Sequence, residues 1–125
     1  MKKTEMLKKN YEFKKVLSKG KFYSRKRVEI VILKNNKEIN LLGIAVSTKN
    51  GKAFQRNRAK RIIRECYKLL ETRLIEGNSM VILLRKNFPI ENITFNDVFE
   101  EMKSIFKEAK VLKKEEELWK KYVYI

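Results

Sequence analysis

The residues best suited to chemistry lie in the stretch FQRNRAKRIIRECYKLL, residues 54–70, where basic side chains far outnumber the one acid, Glu65. At the ~100° per residue of an α-helix, the basic residues fall on one side and the apolar residues on the other. The basic side holds Arg56, Arg58, Lys60, Arg61, Arg64 and Lys68, and the apolar side holds Ala59, Ile62, Ile63, Cys66, Leu69 and Leu70. The pattern predicts an amphipathic helix that packs through one side and presents positive charge on the other.

Such a concentration of positive charge is unfavourable without a partner. Like charges three or four residues apart on a helix repel by roughly 0.2–0.5 kcal/mol per pair. The phosphates of a nucleic acid would supply the missing negative charge, and arginine forms paired hydrogen bonds with phosphate oxygens. Lys49 and Lys52 add charge just before the helix, where free N–H groups suit an anion, while Gly51 is equally well explained as a turn residue. We expect a nucleic-acid surface here, with a purely solvated helix face as the alternative.

The charge of the whole chain supports this expectation. The 125 residues carry a formal net charge of +16, with a sequence pI of about 10.0. Residues 1–70 contain 21 Lys or Arg and five acids, whereas residues 71–125 contain ten of each, so the surplus is confined to one part of the chain. A surplus of this size indicates a polyanionic partner, which is more often nucleic acid than an anionic membrane.

Other kinds of site find little support in the sequence. Histidine is absent, which removes the commonest general base and the commonest zinc ligand. Cys66, the one cysteine, lies in the apolar stripe and is interpreted as a buried small hydrophobic residue. Because no metal-ligand cluster or pair of acids stands out, we expect no catalytic residue and no metal site in the protein. The first residues lack a continuous apolar run, so we expect no signal peptide, no membrane span and a cytoplasmic location.

The remaining pattern predicts a single α+β domain over residues 1–125. The predicted elements are a helix capped by Asn10 and stopped by Gly20, a basic connector KFYSRKR, strands over 28–33 and 41–47, a helix over about 57–76, a strand over 79–85, and a helix capped by Thr94 with Asp97. The first two strands are expected to pair antiparallel, and the almost wholly apolar third strand to be central and covered on both faces. Phe54 is expected in the core, with base stacking as the alternative, and Phe13 fits either role.

The segment GIAVSTKNGKAFQRNRAKRIIRECY resembles the signature of the protein subunit of bacterial ribonuclease P. In that family a strand ending in V-S is followed by a G-x-A loop and the motif R-N-R-x-K-R-x-x-R, which here are residues 46–47, 51–53 and 56–64. The resemblance covers about residues 5–109 and leaves residues 110–125 as a C-terminal extension. It implies a two-layer sandwich with a central four-stranded sheet packed by helices, in the order α-β-β-β-α-β-α. It also implies a left-handed βαβ crossover in place of the usual right-handed one.

The resemblance further implies a function in tRNA processing. In the family the RNA subunit performs the endonucleolytic hydrolysis with bound Mg²⁺ and removes the 5′ leader of precursor tRNA. The protein subunit binds that RNA and the leader, and needs no protein partner. The residues that correspond to contacts with the catalytic RNA are Lys49, Lys52, Arg58, Lys60, Arg61, Arg64 and Lys68. Those that correspond to a leader-binding cleft between the first helix and the sheet are Phe13, Lys14, Leu17, Val31, Arg56 and Asn57.

Two features depart from the family pattern, and two other functions stay open at this stage. Val31 stands where the family often has an aromatic residue, and Glu29 places an acid in a strand that borders the expected cleft. A structured-RNA-binding module of the ribosomal type would share the charge but lack a leader cleft. A helix-turn-helix protein would place the basic helix in the major groove of DNA, although the short preceding helix of that motif is missing.

Overall fold

The fold is built on one mixed five-stranded sheet with helices on both faces, in a computed structural model that describes residues 3–114. The strands are β1 (Thr4–Met6), β2 (Lys21–Ser24), β3 (Val28–Lys34), β4 (Asn40–Ala45) and β5 (Asn78–Leu84). The α-helices of the described part are α1 (Asn10–Lys19), α2 (Ala53–Glu71) and α3 (Phe95–Glu108). Across the sheet the strands lie in the order β1-β4-β5-β3-β2.

Strand β5 lies at the centre of the sheet, and its burial confirms the expectation for residues 79–85. It pairs parallel with β4 and antiparallel with β3, and its side chains are buried on both faces. The predicted antiparallel pairing of residues 28–33 with residues 41–47 is therefore wrong, because β5 lies between those two strands. A strand this apolar is most stable where helices cover both of its faces, and that requirement outweighs the turn signal that favours a local hairpin.

The sheet has five strands rather than the predicted four. The first part of the segment interpreted as a connector is strand β2, which pairs antiparallel with β3. Strand β1, only three residues long, pairs parallel with β4 at the opposite edge. From α1 onward the order of helices and strands is the predicted one, and the α+β class is confirmed.

Alternate residues of each strand point to opposite faces of the sheet and so meet different helices. Ile30 and Ile32 of β3 pack in the main core with α2 and α3. Val31, between them, packs with Val16 of α1 in a smaller core on the other face. The predicted two-layer sandwich therefore describes the α2–α3 side of the sheet, and α1 adds a partial third layer on the opposite side.

The ends of the helices show which local signals decide them. As predicted, α1 ends at Gly20, whose N–H donates to the Val16 carbonyl at 2.8 Å, and the Thr94 hydroxyl caps α3 by accepting the Asp97 N–H at 3.3 Å. Asn10 is the first residue of α1 rather than its cap, since the Glu12 carboxylate accepts the Lys9 N–H at 3.2 Å.

Helix α2 begins and ends earlier than the predicted range of about 57–76. It begins at Ala53 because the Gln55 side chain accepts the Lys52 N–H at 2.9 Å, which caps the helix there. It ends at Glu71 because the chain that follows pairs with the segment after α3. In that pairing the Ile75 N–H donates to the Val111 carbonyl, and the Lys113 N–H to the Arg73 carbonyl, each at 2.7 Å.

Candidate nucleic-acid interface

The predicted basic side of α2 faces solvent in the structure. Seven side chains form this basic surface: Lys49, Lys52, Arg58, Lys60, Arg61, Arg64 and Lys68. All are exposed except Lys60, which is half-buried. Within residues 3–114 the ion pairs involve Lys3, Arg25, Arg27 and Arg85, so no cation of the basic surface is paired with a carboxylate. The positive charge of this surface is therefore available to an external anion.

The loop before α2 is held in one shape by its own hydrogen bonds. The Ser47 hydroxyl accepts the Lys49 N–H at 3.2 Å, and the Arg56 guanidinium donates to the Gly51 carbonyl at 2.7 Å. A side chain at Gly51 would place its Cβ 2.5 Å from the Gln55 carbonyl oxygen of the amide and 2.9 Å from a methyl group of Ile90. Gly51 is therefore needed for close approach at a turn, and Arg56 serves first to fix the loop.

The apolar side of α2 is rotated slightly from the predicted stripe. Ala59, Ile63, Cys66 and Leu70 are buried as predicted. Tyr67, which the prediction left out, is fully buried, and its hydroxyl lies 2.7 Å from the Thr4 hydroxyl of β1. Burial raises the pKa of the Tyr67 hydroxyl to about 12, so it stays protonated at neutral pH.

Two apolar residues of α2 that were expected in the core are exposed. Leu69 is 60% exposed, and Phe54 is 69% exposed because the first turn of α2 projects beyond the sheet. The expectation that Phe54 belongs to the core is wrong, so the alternative of a contact surface is the one the geometry allows. Cys66 is buried as predicted, and desolvation with the adjacent Glu65 charge raises the pKa of its thiol to about 12, which makes it a poor nucleophile.

Helix α1 covers only part of its face of the sheet and leaves a cleft beside it. The ring of Phe13 lies over Gly43, where any Cβ would collide with it, and Val16 packs on Val31 and Val81. The strand register places Ser24, Glu29, Leu83 and Ala45 in one row across the same face, beyond the residues that α1 covers. The loop that leads into α2 follows β4 directly after Ala45, so this row and the start of α2 lie at the same end of the sheet.

The structure sorts the residues predicted for the cleft. Lys14 and Leu17 of α1 are exposed, Leu17 by 46%, and Asn57 of α2 is exposed as well. Phe13 is half-buried beneath α1, so it presents at most an edge to a ligand. Val31 is only 2% exposed, and the predicted contact between Val31 and the leader is not possible while α1 covers it.

Phe22 is a candidate residue that the sequence reasoning missed. It is 55% exposed, and it pairs with Val31 across β2 and β3, so its side chain points to the α1 face. Gly20, at the end of α1, lies against the Val31 side chain, which puts Phe22 beside that end of the helix. The alternation of aromatic and polar residues in KFYS is a strand signal that could have revealed it. Lys14, Leu17 and Phe22 are termed the cleft surface below.

An acid also borders the cleft. Glu29 lies on the α1 face of β3, and its carboxylate is 3.8 Å from the Arg85 guanidinium. This ion pair offsets the negative charge that would otherwise repel a phosphate. Among the described residues no group of three or more His, Cys, Asp or Glu could hold a metal ion, and no helix is long and apolar enough to cross a membrane.

Known proteins with a similar sequence and fold point to one family. A family model described as Ribonuclease P matches residues 1–110. The ribonuclease P protein component of Dictyoglomus turgidum is 38% identical over 112 residues, which cover 90% of this chain and 94% of that relative. The RNase P protein structures from Staphylococcus aureus and Thermotoga maritima match with TM-scores of 0.73 and 0.75, at 31% and 28% identity. These matches cover 86% and 83% of this chain and 97% and 96% of those chains.

Proposed function

The chain belongs to the ribonuclease P protein family, and we propose that its basic surface binds the RNA subunit while its cleft surface binds the 5′ leader of precursor tRNA. As a member of that family it is the protein component of an endoribonuclease ribonucleoprotein that matures tRNA 5′ ends. Its partners are ribonuclease P RNA and precursor tRNA. The ribosomal-type and DNA-binding alternatives are not favoured by the matches.

The observation that carries the proposal is the row of cations on α2 that face solvent without acidic partners. Their mutual repulsion is relieved when phosphates approach, and each phosphate contact also releases counterions from the RNA. Arg58, Arg61 and Arg64 lie on successive turns, so a single phosphate backbone can contact more than one of them. The rigid loop that Arg56 holds keeps Lys49 and Lys52 at the end of the same surface.

The cleft surface has the features that bind single-stranded RNA. Proteins that bind single strands combine cations along the backbone with aromatic side chains on which bases stack. Phe22 supplies an exposed ring, Leu17 an apolar contact and Lys14 a cation. We place base stacking on Phe22 rather than on Val31, because Val31 is buried. Asn57, exposed at the start of α2, lies at the same end of the sheet and can reach the junction between leader and tRNA.

The hydrolysis itself is assigned to the RNA subunit with its bound Mg²⁺. The described residues lack a group of carboxylates able to hold such an ion, so the protein contributes by binding and orienting the substrate. Because tRNA maturation accompanies transcription in bacteria, we also place the protein in the cytoplasm.

The test of the leader site compares precursor tRNA with mature tRNA bound to the assembled holoenzyme. Base stacking is worth about 1–3 kcal/mol, so Phe22→Ala is expected to weaken binding of the precursor by about 5- to 150-fold and binding of the mature tRNA far less. Tyr11→Ala is the matched control, since Tyr11 is an aromatic residue of α1 that is 65% exposed on the flank away from the cleft. Equal losses for precursor and mature tRNA would show that Phe22 does not bind the leader.

A further inference from the structure

Helix α2 exposes an apolar ridge that the proposed RNA contacts do not use. Ile62 and Leu69 are seven residues apart, so they lie on the same edge of the helix, two turns apart. Ile62 is half-buried against the main core, and Leu69 is 60% exposed. On the helical wheel they lie between Cys66, whose thiol donates to the Phe95 carbonyl at 3.6 Å, and the basic surface. The ridge therefore runs along the outer groove between α2 and the start of α3.

The chain leaves the described structure beside the end of this ridge. Residues 111–113 pair with residues 73–75 in antiparallel fashion, through the hydrogen bonds of Ile75 and Lys113 given above. Because the two segments run in opposite directions, the chain at Lys114 is heading back towards the last turn of α2, which contains Leu69.

The length of the remaining segment is sufficient to cover the ridge. Residues 115–125 span about 16 Å as a helix and about 36 Å when fully extended. The seven residues from Ile62 to Leu69 span only about 10 Å of helix. A segment that starts beside Leu69 can therefore reach Ile62 in either conformation.

The sequence of the segment, EEELWKKYVYI, complements the ridge and its border. Leu118, Tyr122 and Ile125 are spaced by four and three residues and Trp119 adjoins Leu118, so the apolar side chains can share one face. Residues 115–117 are the one run of three acids in the sequence, and they come first, next to the end of α2. The ridge is bordered there by Lys68 and Arg61 and by one acid, Glu65, so the local charge favours an acidic partner.

We propose that residues 115–125 dock on the Ile62–Leu69 ridge of their own chain, with Leu118 and Trp119 against the apolar side chains and the three acids beside Lys68. The docked segment covers apolar surface that is otherwise exposed. It also screens the part of the basic surface nearest the end of α2, so an RNA that contacts Lys68 must compete with it. This inference does not depend on the proposed RNA contacts.

Trp119 is the one tryptophan of the chain, so its fluorescence reports on the segment in the full-length protein. In the docked state its emission is shifted to shorter wavelength, and acrylamide quenches it less than in the urea-unfolded protein. Leu69→Glu places a charge in the middle of the docking surface, and its emission and quenching are expected to approach those of the unfolded protein. Leu17→Glu is the matched control, because it makes the same change at an exposed leucine on the opposite side of the sheet and leaves Trp119 protected.

Three outcomes overturn the proposal. Quenching of the wild-type protein equal to that of the unfolded chain would show that the segment does not dock at all. Protection that survives Leu69→Glu, or that is lost equally with Leu17→Glu, would show that this ridge is not the docking surface. Protection that disappears on dilution would show that the surface is covered by a second copy of the chain instead. Circular dichroism of both variants ensures that each comparison is made on folded protein.

Discussion

Removal of two arginines from the centre of the basic surface should reduce both the affinity for ribonuclease P RNA and its dependence on salt. Arg61 and Arg64 are exposed, lie near the middle of the basic side of α2 and form no ion pair among the described residues. Their loss should therefore change the free energy of unfolding by no more than about 0.5 kcal/mol. The effect on RNA binding is then a direct effect on the contact.

The size of the effect follows from counterion release. Each phosphate contact contributes about 0.7–0.9 to the slope of log K against log salt concentration, so the double variant Arg61→Ala/Arg64→Ala should lower the slope by about 1.4–1.8. At 0.15 M salt the same release corresponds to a loss in affinity of about 15- to 30-fold. The loss should shrink as salt is raised, because counterion release is then worth less.

The assay is a titration of ribonuclease P RNA with the protein at several salt concentrations. Lys103→Ala/Lys107→Ala is the matched control, since it removes the same charge from the surface of α3, outside the basic surface. The control should keep the wild-type slope. A double Arg variant with an unchanged slope, or a control with the same reduced slope, would refute the assignment of the RNA contact to α2.

Three further predictions concern the scaffold that holds these surfaces. Glu101→Ala should destabilise the fold by about 3 kcal/mol in urea unfolding, because the Glu101 carboxylate pairs with Arg27 and accepts the Arg27 and Val28 N–H groups, whereas a change of the exposed Glu100 should cost under about 0.5 kcal/mol; similar values for the two would contradict this. Gly43→Ala should cost about 1–3 kcal/mol, because its Cβ would displace the Phe13 ring, and an unaffected melting temperature would show that α1 adjusts freely. The pKa of the Cys66 thiol is raised to about 12 from 9.0, so the unfolded chain loses this proton first, and the stability that Cys66 contributes below pH 9.0 is lost as pH rises towards about 12. Unfolding measured from pH 8 to pH 11 should therefore show a smaller loss of stability for Cys66→Ala than for the wild type, and parallel curves would argue against that shift.

Local patterns in the sequence were sufficient for the basic helix and for several boundaries. The segregation of charge on α2 depends only on the helical period, and the Thr94 cap and the Gly20 stop depend on residues within a few positions. The central position of β5 follows from its composition, because so apolar a strand must be covered on both faces.

Features decided by distant parts of the chain could not be predicted in the same way. The pairing of β3 with β5 rather than β4 depends on which strand is best buried, not on the turn that joins β3 to β4. Tyr67 is buried because its hydroxyl meets Thr4, 63 residues away in sequence. Phe22 was overlooked as a cleft residue because β2 is only four residues long and its sequence is rich in basic residues around it. The burial of Val31 depends on where α1 lies, which no local pattern gives.

The most direct test of the central claim is cleavage of a precursor tRNA by bacterial ribonuclease P RNA at low Mg²⁺ concentration, with and without this protein. The account predicts that the protein restores cleavage at the mature 5′ end and cuts nothing when the RNA subunit is absent. Cleavage that stays at the level of the RNA alone, although the protein binds that RNA, would contradict the proposed role of the protein in substrate binding.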